Sequence, residues 1–322
     1  MRGTAIFFLV FLVAALLMVT GVSLAASPQD LLDSGHVDEA VQVLEQQVRQ
    51  APNDAGGYNL LCRAYFMMEE WDRGIANCER ARNLDSQNSL HYLWLGRIYG
   101  EKADRAGFLS AAGLGKKSRI AFERAVELDP RNWEARKDLA EFYFSAPGIV
   151  GGGKDKAREQ AEAIRALNPA PANWVEAQIA EKNKDYGAAE REYRAAIAAS
   201  HSGVWAWTEL AIFFRHINRL DDMEKALHEV ETAPVDHHEA LMDAASLLMR
   251  TGRNPALGIR LLRRYFSVGP VEEGPAFKAH EYWGQLLERQ GDHHGAAQEY
   301  HAALALFHNY RRAQEDLTRV EH

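Results

Sequence analysis

Two cysteines in 322 residues are too few for a disulfide-built scaffold or a four-cysteine zinc site. Basic residues are also in short supply. Lys and Arg total 37 against 45 Asp and Glu, a net charge of −8, and no basic stripe gathers along the chain. That balance excludes the electrostatic footprint of a nucleic-acid or anionic-lipid binder. The 10 prolines and 24 glycines are spread out, which excludes collagen-like and low-complexity chains. Beyond Ser27 there is no Val/Ile/Thr alternation, so strands are not expected. What is present, 47% apolar and 25% charged residues, belongs to a folded chain long enough for two domains or one extended repeat array.

Chemistry-bearing motifs are equally scarce. Residues 113–118, GLGKKS, invite comparison with a phosphate loop, but no strand precedes them and the Gly-x-x-x-x-Gly-Lys-Ser register is missing. The 13 histidines fall mostly late, paired at His237–His238 and His293–His294, and recurring every seven residues through His294, His301 and His308. A helical metal clamp needs ligands one turn apart, whereas seven residues separate the rings by roughly 10 Å. A solvated polar face is the expectation there. No Ser/His/Asp or Cys/His arrangement appears, so neither catalysis, nor a cofactor, nor a small-molecule substrate is expected. The alternative is a metal-dependent or enzymatic module using the histidine-rich C-terminal third.

At the N-terminus, residues 5–19 form an unbroken apolar run of 15, preceded by Arg2 and followed by Gly21, Ser23, Ala25 and Ala26. Charge, apolar stretch and small-residue exit make a secretory signal over residues 1–25, cleaved after Ala25. The competing reading is an uncleaved anchor, because the continuation to Ala26 nearly reaches the ~20 residues that span a bilayer. Either way the remainder is exported, to the periplasm or outside, and a membrane tether through residues 1–25 is the variant.

The remainder reads as helix throughout, with apolar residues three and four apart and short polar breaks. It is also self-similar. Tyr58, Leu61, Cys62 and Tyr65 lead to Gly74, Cys78 and Ala81; Tyr92, Leu95, Gly96 and Tyr99 repeat the first half 34 residues on. Phe122, Ala125 and Pro130 complete that unit, and Trp207, Leu210, Ala211 and Phe214, then His280, Trp283, Gly284 and Leu287, repeat it again. Small slots let antiparallel helices approach, and bulky ones fill the facing holes. This pattern resembles the tetratricopeptide repeat (TPR), including its break sequences at residues 51–54 and 128–132. The resemblance implies an all-α, right-handed superhelical solenoid of antiparallel helix pairs. Second helices are marked by Ala40, Gly74, Ser118, Ala157, Ala189, Met223, Leu257 and Ala296, at intervals of 34, 44, 39, 32, 34, 34 and 39. Seven pairs then follow a half-unit at residues 28–52. The solenoid is expected over residues 26–310, closed by a capping helix at 311–322 with Ala313, Leu317 and Val320 on one face.

Three insertions interrupt the period, near residues 100–117, 145–154 and 267–276. The first two are expected to be turns inside pairs and hence spatial neighbours; the third joins successive pairs on the opposite edge. A long first insertion followed by a glycine-rich turn also resembles a subset of exported bacterial repeat proteins. Phe108, Leu109, Gly151, Gly152 and Gly153 are candidates for a ligand-gripping edge. The plainer reading is that the hydrophobes cover apolar surface and the glycines supply turn geometry.

In such arrays the first helix of each pair lines the concave side, so the resemblance implies a groove for protein or peptide. Its candidates are Asn59, Arg63, Phe66, Arg97, Lys137, Glu141, Phe144, Trp174 and Trp205, a mixture of aromatic, Arg and polar groups typical of recognition surfaces. The family's peptide-carboxylate clamp is not reproduced, because Trp94 and Asp138 stand where it needs polar or basic groups. Cys62 and Cys78, 16 residues apart on antiparallel helices, face each other either as a disulfide or as two buried thiols. The expected function is a non-catalytic binding scaffold of the cell envelope.

Overall fold

The computed structural model describes residues 26–322. The expected signal or anchor at residues 1–25 lies outside them. The described chain is a succession of helices. A half-unit, α1 (Pro28–Asp33) and α2 (Val37–Gln50), precedes seven pairs. These are α3 (Ala55–Met67) with α4 (Trp71–Leu84), α5 (Ser89–Asp104) with α6 (Phe108–Leu128), and α7 (Trp133–Ser145) with α8 (Lys154–Arg165). Then come α9 (Pro169–Lys182) with α10 (Tyr186–Ala199), α11 (Val204–His216) with α12 (Leu220–Val230), and α13 (Glu239–Thr251) with α14 (Pro255–Val268). The last pair is α15 (Ala276–Arg289) with α16 (His293–Leu306), and α17 (Arg311–Glu321) ends the chain. No described helix is long and apolar enough to cross a membrane.

The breaks end one helix and cap the next. Asp54 accepts from the Gly57 amide at 3.0 Å and Asn132 from the Ala135 amide at 2.9 Å, each satisfying a donor that the first turn would leave unpaired. Asn168 and Asn254 do the same for α9 and α14, each followed by a proline at the first helical position. Within pairs, the eight slots that mark the second helices are all buried. Gly96 shows why such slots stay small. A methyl there would come within 2.4 Å of the Phe122 ring, so α5 and α6 can meet only through its absence.

First helices also touch the first helix of the following pair (α3 with α5, α7 with α9, α11 with α13, α13 with α15), whereas second helices make no comparable contact with each other. First helices therefore line the tighter, concave side of the curve. The architecture is the right-handed all-α solenoid of antiparallel pairs.

Two expectations are corrected. Residues 100–117 are not a connecting turn. α5 runs on to Asp104 and α6 starts at Phe108, so the insertion lengthens both helices and leaves only residues 105–107 between them. Nor does α17 close the array alone. Leu31, Leu32, Val37 and Ala40 from the N-terminal half-unit share one apolar cluster with Phe277, Phe307, Tyr310 and Ala313 from the C-terminal end. The His308 amide donates to Asp38 at 2.7 Å, and Lys278 and Arg312 both stand 3.7 Å from Glu69. The curved array meets its own beginning.

Candidate functional site

The inner face is where the groove candidates were expected, and the structure divides them. Asn59 is only 2% exposed and Phe144 and Trp174 are buried, so these three belong to the packing beneath the surface. Phe144 sits edge-on to Trp174, which in turn meets Trp205, and the Trp174 indole N–H donates to Glu209 at 2.7 Å. Arg63 is not free for a partner. Its Nε donates to Glu272 at 2.8 Å, across 209 residues of sequence, and Glu272 is itself buried. The third insertion thus reaches back to the first complete pair and helps close the ring of helices. Arg97 is likewise committed, to Asp138 at 2.6 Å, while its guanidinium lies over Trp94. Phe66 is half-buried, edge-on to Trp71 and Trp94.

Several carboxylates remain open on the inner face. Glu141 of α7 and Asp243 of α13 reach solvent and make no ion pair among the described residues, and Glu209 of α11 lies between them. Lys137, near the Trp174 ring at 5.4 Å, opposes the charge of Glu141 and Glu209, while Arg250 and Lys278 oppose that of Asp243. Protein walls on several sides keep bulk water from these carboxylates, and this burial pushes Glu209 up to about 7 and Asp243 up to about 6. Mutual repulsion adds to it: Asp243 and Glu141 both raise Glu209, while Glu239 raises Asp243. Glu141 is raised for the same leading reason, burial, with Lys137 opposing. Glu209 therefore keeps part of its proton population at neutral pH, and the carboxylates around it favour an incoming cation.

The first two insertions do meet. Arg119 Nε on α6 donates to the Val150 carbonyl at 3.1 Å, and Val150 packs beside Gly115. Between α5, α6, α7 and a 3-10 turn at Gly148–Val150 they leave a cavity of about 690 Å³. Phe108 does not cover apolar surface as expected, since its ring is 82% exposed at the cavity rim. Leu109 follows it in α6, and its side chain lies outside the described residues. The three glycines shape the turn. Gly151 has φ +101°, a methyl on Gly152 would sit 1.8 Å from the Ala146 carbonyl oxygen, and the Gly153 amide donates to the Tyr143 carbonyl at 2.8 Å.

Cys62 and Cys78 are joined as a disulfide between α3 and α4, with Cα atoms 5.1 Å apart. Among the described residues no group of three or more His, Cys, Asp or Glu side chains is placed to hold a metal ion. His293, His294, His301 and His308 face solvent.

One feature of the architecture escaped the sequence reading. Tyr65 donates to Glu45 at 2.8 Å, Tyr143 to Glu123 at 2.8 Å, and Tyr99 likewise to Glu79. Each bond ties a first helix to the second helix of the unit before it, always 20 residues back. A Glu-to-Tyr recurrence at that fixed interval was the available signal.

No protein-family model matches the sequence, and no curated protein does. Solved structures match it in fold. Yeast Tom70 is similar over 88% of this chain, with a TM-score of 0.54 and 15% identity. The chain spans 58% of that protein's length. PilW, a widely conserved type IV pilus biogenesis factor, is 16% identical over 83% of this chain and 98% of its own, with a TM-score of 0.42. A tetratricopeptide repeat protein from Parabacteroides merdae is 15% identical over 92% of this chain and 96% of its own, also with a TM-score of 0.42. At these identities the likeness to Tom70 establishes the TPR-like fold and nothing further.

Proposed function

We propose that this chain is a non-catalytic scaffold that binds protein or peptide on its concave face, and that it works in the cell envelope after export directed by residues 1–25. The observation carrying the first part is the inner face itself, which is walled, partly aromatic and left with carboxylates, Glu141, Glu209 and Asp243, that make no direct ion pair among the described residues. A solenoid offers such a face over a long continuous surface, which suits an extended or helical segment better than a compact metabolite. The apolar leader and the disulfide between Cys62 and Cys78 both suit an oxidising, exported setting.

Photo-crosslinking tests the face. A benzophenone side chain at Asp243, on the inner surface, is expected to give defined adducts in cells, and one at Ile120, exposed on the second helix α6, is expected to give none. Equal adduct patterns from both positions would remove the concave face from consideration. Export is read separately by intact mass: loss of residues 1–25 indicates a cleaved signal, and their retention in a membrane fraction indicates the tether.

A further inference from the structure

The cavity between the first two insertions differs from the rest of the array in how its small residues are used. At Gly284, in the last pair, a methyl would come within 2.4 Å of the Tyr300 ring, so its smallness permits helix contact. At Gly115, which lines the cavity, a methyl would meet nothing closer than 3.9 Å. Here small residues, Gly115 with Ala111 and Ala112, keep a space open. The floor of that space is apolar, formed by Phe122, Phe142 and Val150, and its rim carries Phe108 and Ile149, which are 82% and 77% exposed. Large aromatic and aliphatic side chains standing in water at the mouth of an apolar trough mark a surface that a partner covers.

The charge at the same mouth says which partner. Four carboxylates, Glu101, Asp104, Asp138 and Glu141, line the cavity against one guanidinium, Arg97, and Arg97 is already paired with Asp138. Glu101 has Arg105 beside it, while Asp104 and Glu141 have no ion-pair partner among the described residues. An acyl chain with an anionic head would be repelled there. A second copy, itself carrying net −8, would bring the wrong sign as well.

We infer that this trough docks a partner segment that presents large apolar side chains next to Lys or Arg, the apolar groups entering between α6 and α7 and the cations meeting Asp104 and Glu141. The inference rests on the reading of the chain as a binding scaffold and assigns that role to the insertion lobe. Recognition is then divided: the apolar floor supplies affinity, and the acidic rim selects against anionic segments and speeds encounter.

The test uses the purified chain and three labelled synthetic peptides of one length, followed by fluorescence anisotropy. One is an amphipathic Leu/Lys peptide, one replaces every Lys by Glu, and one replaces every Leu by Ser. The Leu/Lys peptide is expected to bind roughly tenfold or more tightly than either other, with affinity falling as salt rises. Ala112→Trp, which fills the trough, and Phe108→Ser with Ile149→Ser, which strip its rim, are each expected to weaken it about tenfold. The rim variant alters only exposed side chains, so its unchanged melting curve keeps the test valid if Ala112→Trp misfolds. Arg311→Gln, an exposed residue of α17 away from both surfaces, is expected to leave this binding unchanged. Equal binding of the Lys and Glu peptides, no binding of the Leu/Lys peptide, or insensitivity to the rim variant would overturn the inference. If affinity fell instead with Asp243→Asn, on the central inner face, the scaffold reading would stand and the trough would be excluded. Sedimentation showing a dimer that the rim variant dissolves would identify a second copy as the occupant and likewise overturn it.

Discussion

Closure of the array can be broken at one residue. Glu272, 2% exposed in its side chain, is the only carboxylate recorded within hydrogen-bonding distance of the Arg63 guanidinium among the described residues, and Gln29 donates to it at 3.3 Å. Replacing Glu272 by Ala leaves a guanidinium with 14% side-chain exposure facing the Trp94 ring. Removing one partner of a buried ion pair costs roughly 3–5 kcal/mol, because the remaining charge keeps its desolvation cost and loses its compensation. Partial access of water to Arg63 places this case near the lower end, about 3 kcal/mol. The apolar part of the contact, with Leu31, Leu32, Phe277 and Phe307, remains, so the ends should open more often without the protein unfolding. An opening made easier by about 3 kcal/mol raises its population by roughly a hundredfold. Hydrogen exchange read by mass spectrometry should therefore accelerate in residues 28–50 and 269–275, while α9 to α12 keep their protection. X-ray scattering should show a larger radius of gyration. Glu272→Gln, which keeps volume and an acceptor, should give a smaller effect, and loss of the exposed pair Arg311–Glu315 should give almost none. Unchanged exchange at both termini in Glu272→Ala would show that the apolar cluster alone holds the ends and that the ion pair is incidental.

Further outcomes follow from the same structure. Tyr143→Phe removes the bond to Glu123 and should cost about 1 kcal/mol in chemical denaturation, with Glu123 still satisfied by Arg119; no loss would mean the inter-unit stitch is energetically silent. Reduction of Cys62–Cys78, which closes a loop of 16 residues, should lower stability by about 3 kcal/mol, and equal melting curves with and without reductant would refute this. Glu209, pushed up to about 7 from a reference near 4.5, holds a proton in the folded state that the unfolded chain releases. Its stabilisation is complete below about pH 4.5 and is lost as pH rises toward 7, by at most about 3 kcal/mol before screening. Glu209→Gln should therefore flatten the melting temperature against pH over that interval, and an unaltered slope would exclude Glu209 as its source.

The parts of the structure legible in sequence are those that repeat. Ala40, Gly74 and Ala157 could be placed because a small slot faces a bulky one at near-constant spacing, and the contact it serves is local. Asn132 and Asp54 could be placed because a cap acts on its own next turn. The first insertion misled because Gly107, Gly113 and Gly115 look like loop residues, each unfavourable in a helix by about 1 kcal/mol. Yet α6 continues through Gly113 and Gly115, with Leu114 packed against the cluster of Cys62, Cys78 and Trp94. Tertiary contact outweighed propensity there. Arg63 misled for a different reason: its partner is 209 residues away and arrives only because the curve returns to its start, which no periodic pattern encodes. Phe144 and Trp174 are aromatic residues on first helices, as groove anchors would be, but contact between successive first helices buries them. These failures share a cause. The period specifies how each unit holds the next, and it is therefore silent wherever the chain departs from it. The lobe of residues 100–154 and the closing loop at 269–275 are such departures, and they set the trough, the acidic mouth and the fixed geometry of the inner face. The regular units fix how each helix pair holds the next, and the interruptions decide where the surface departs from that repeat.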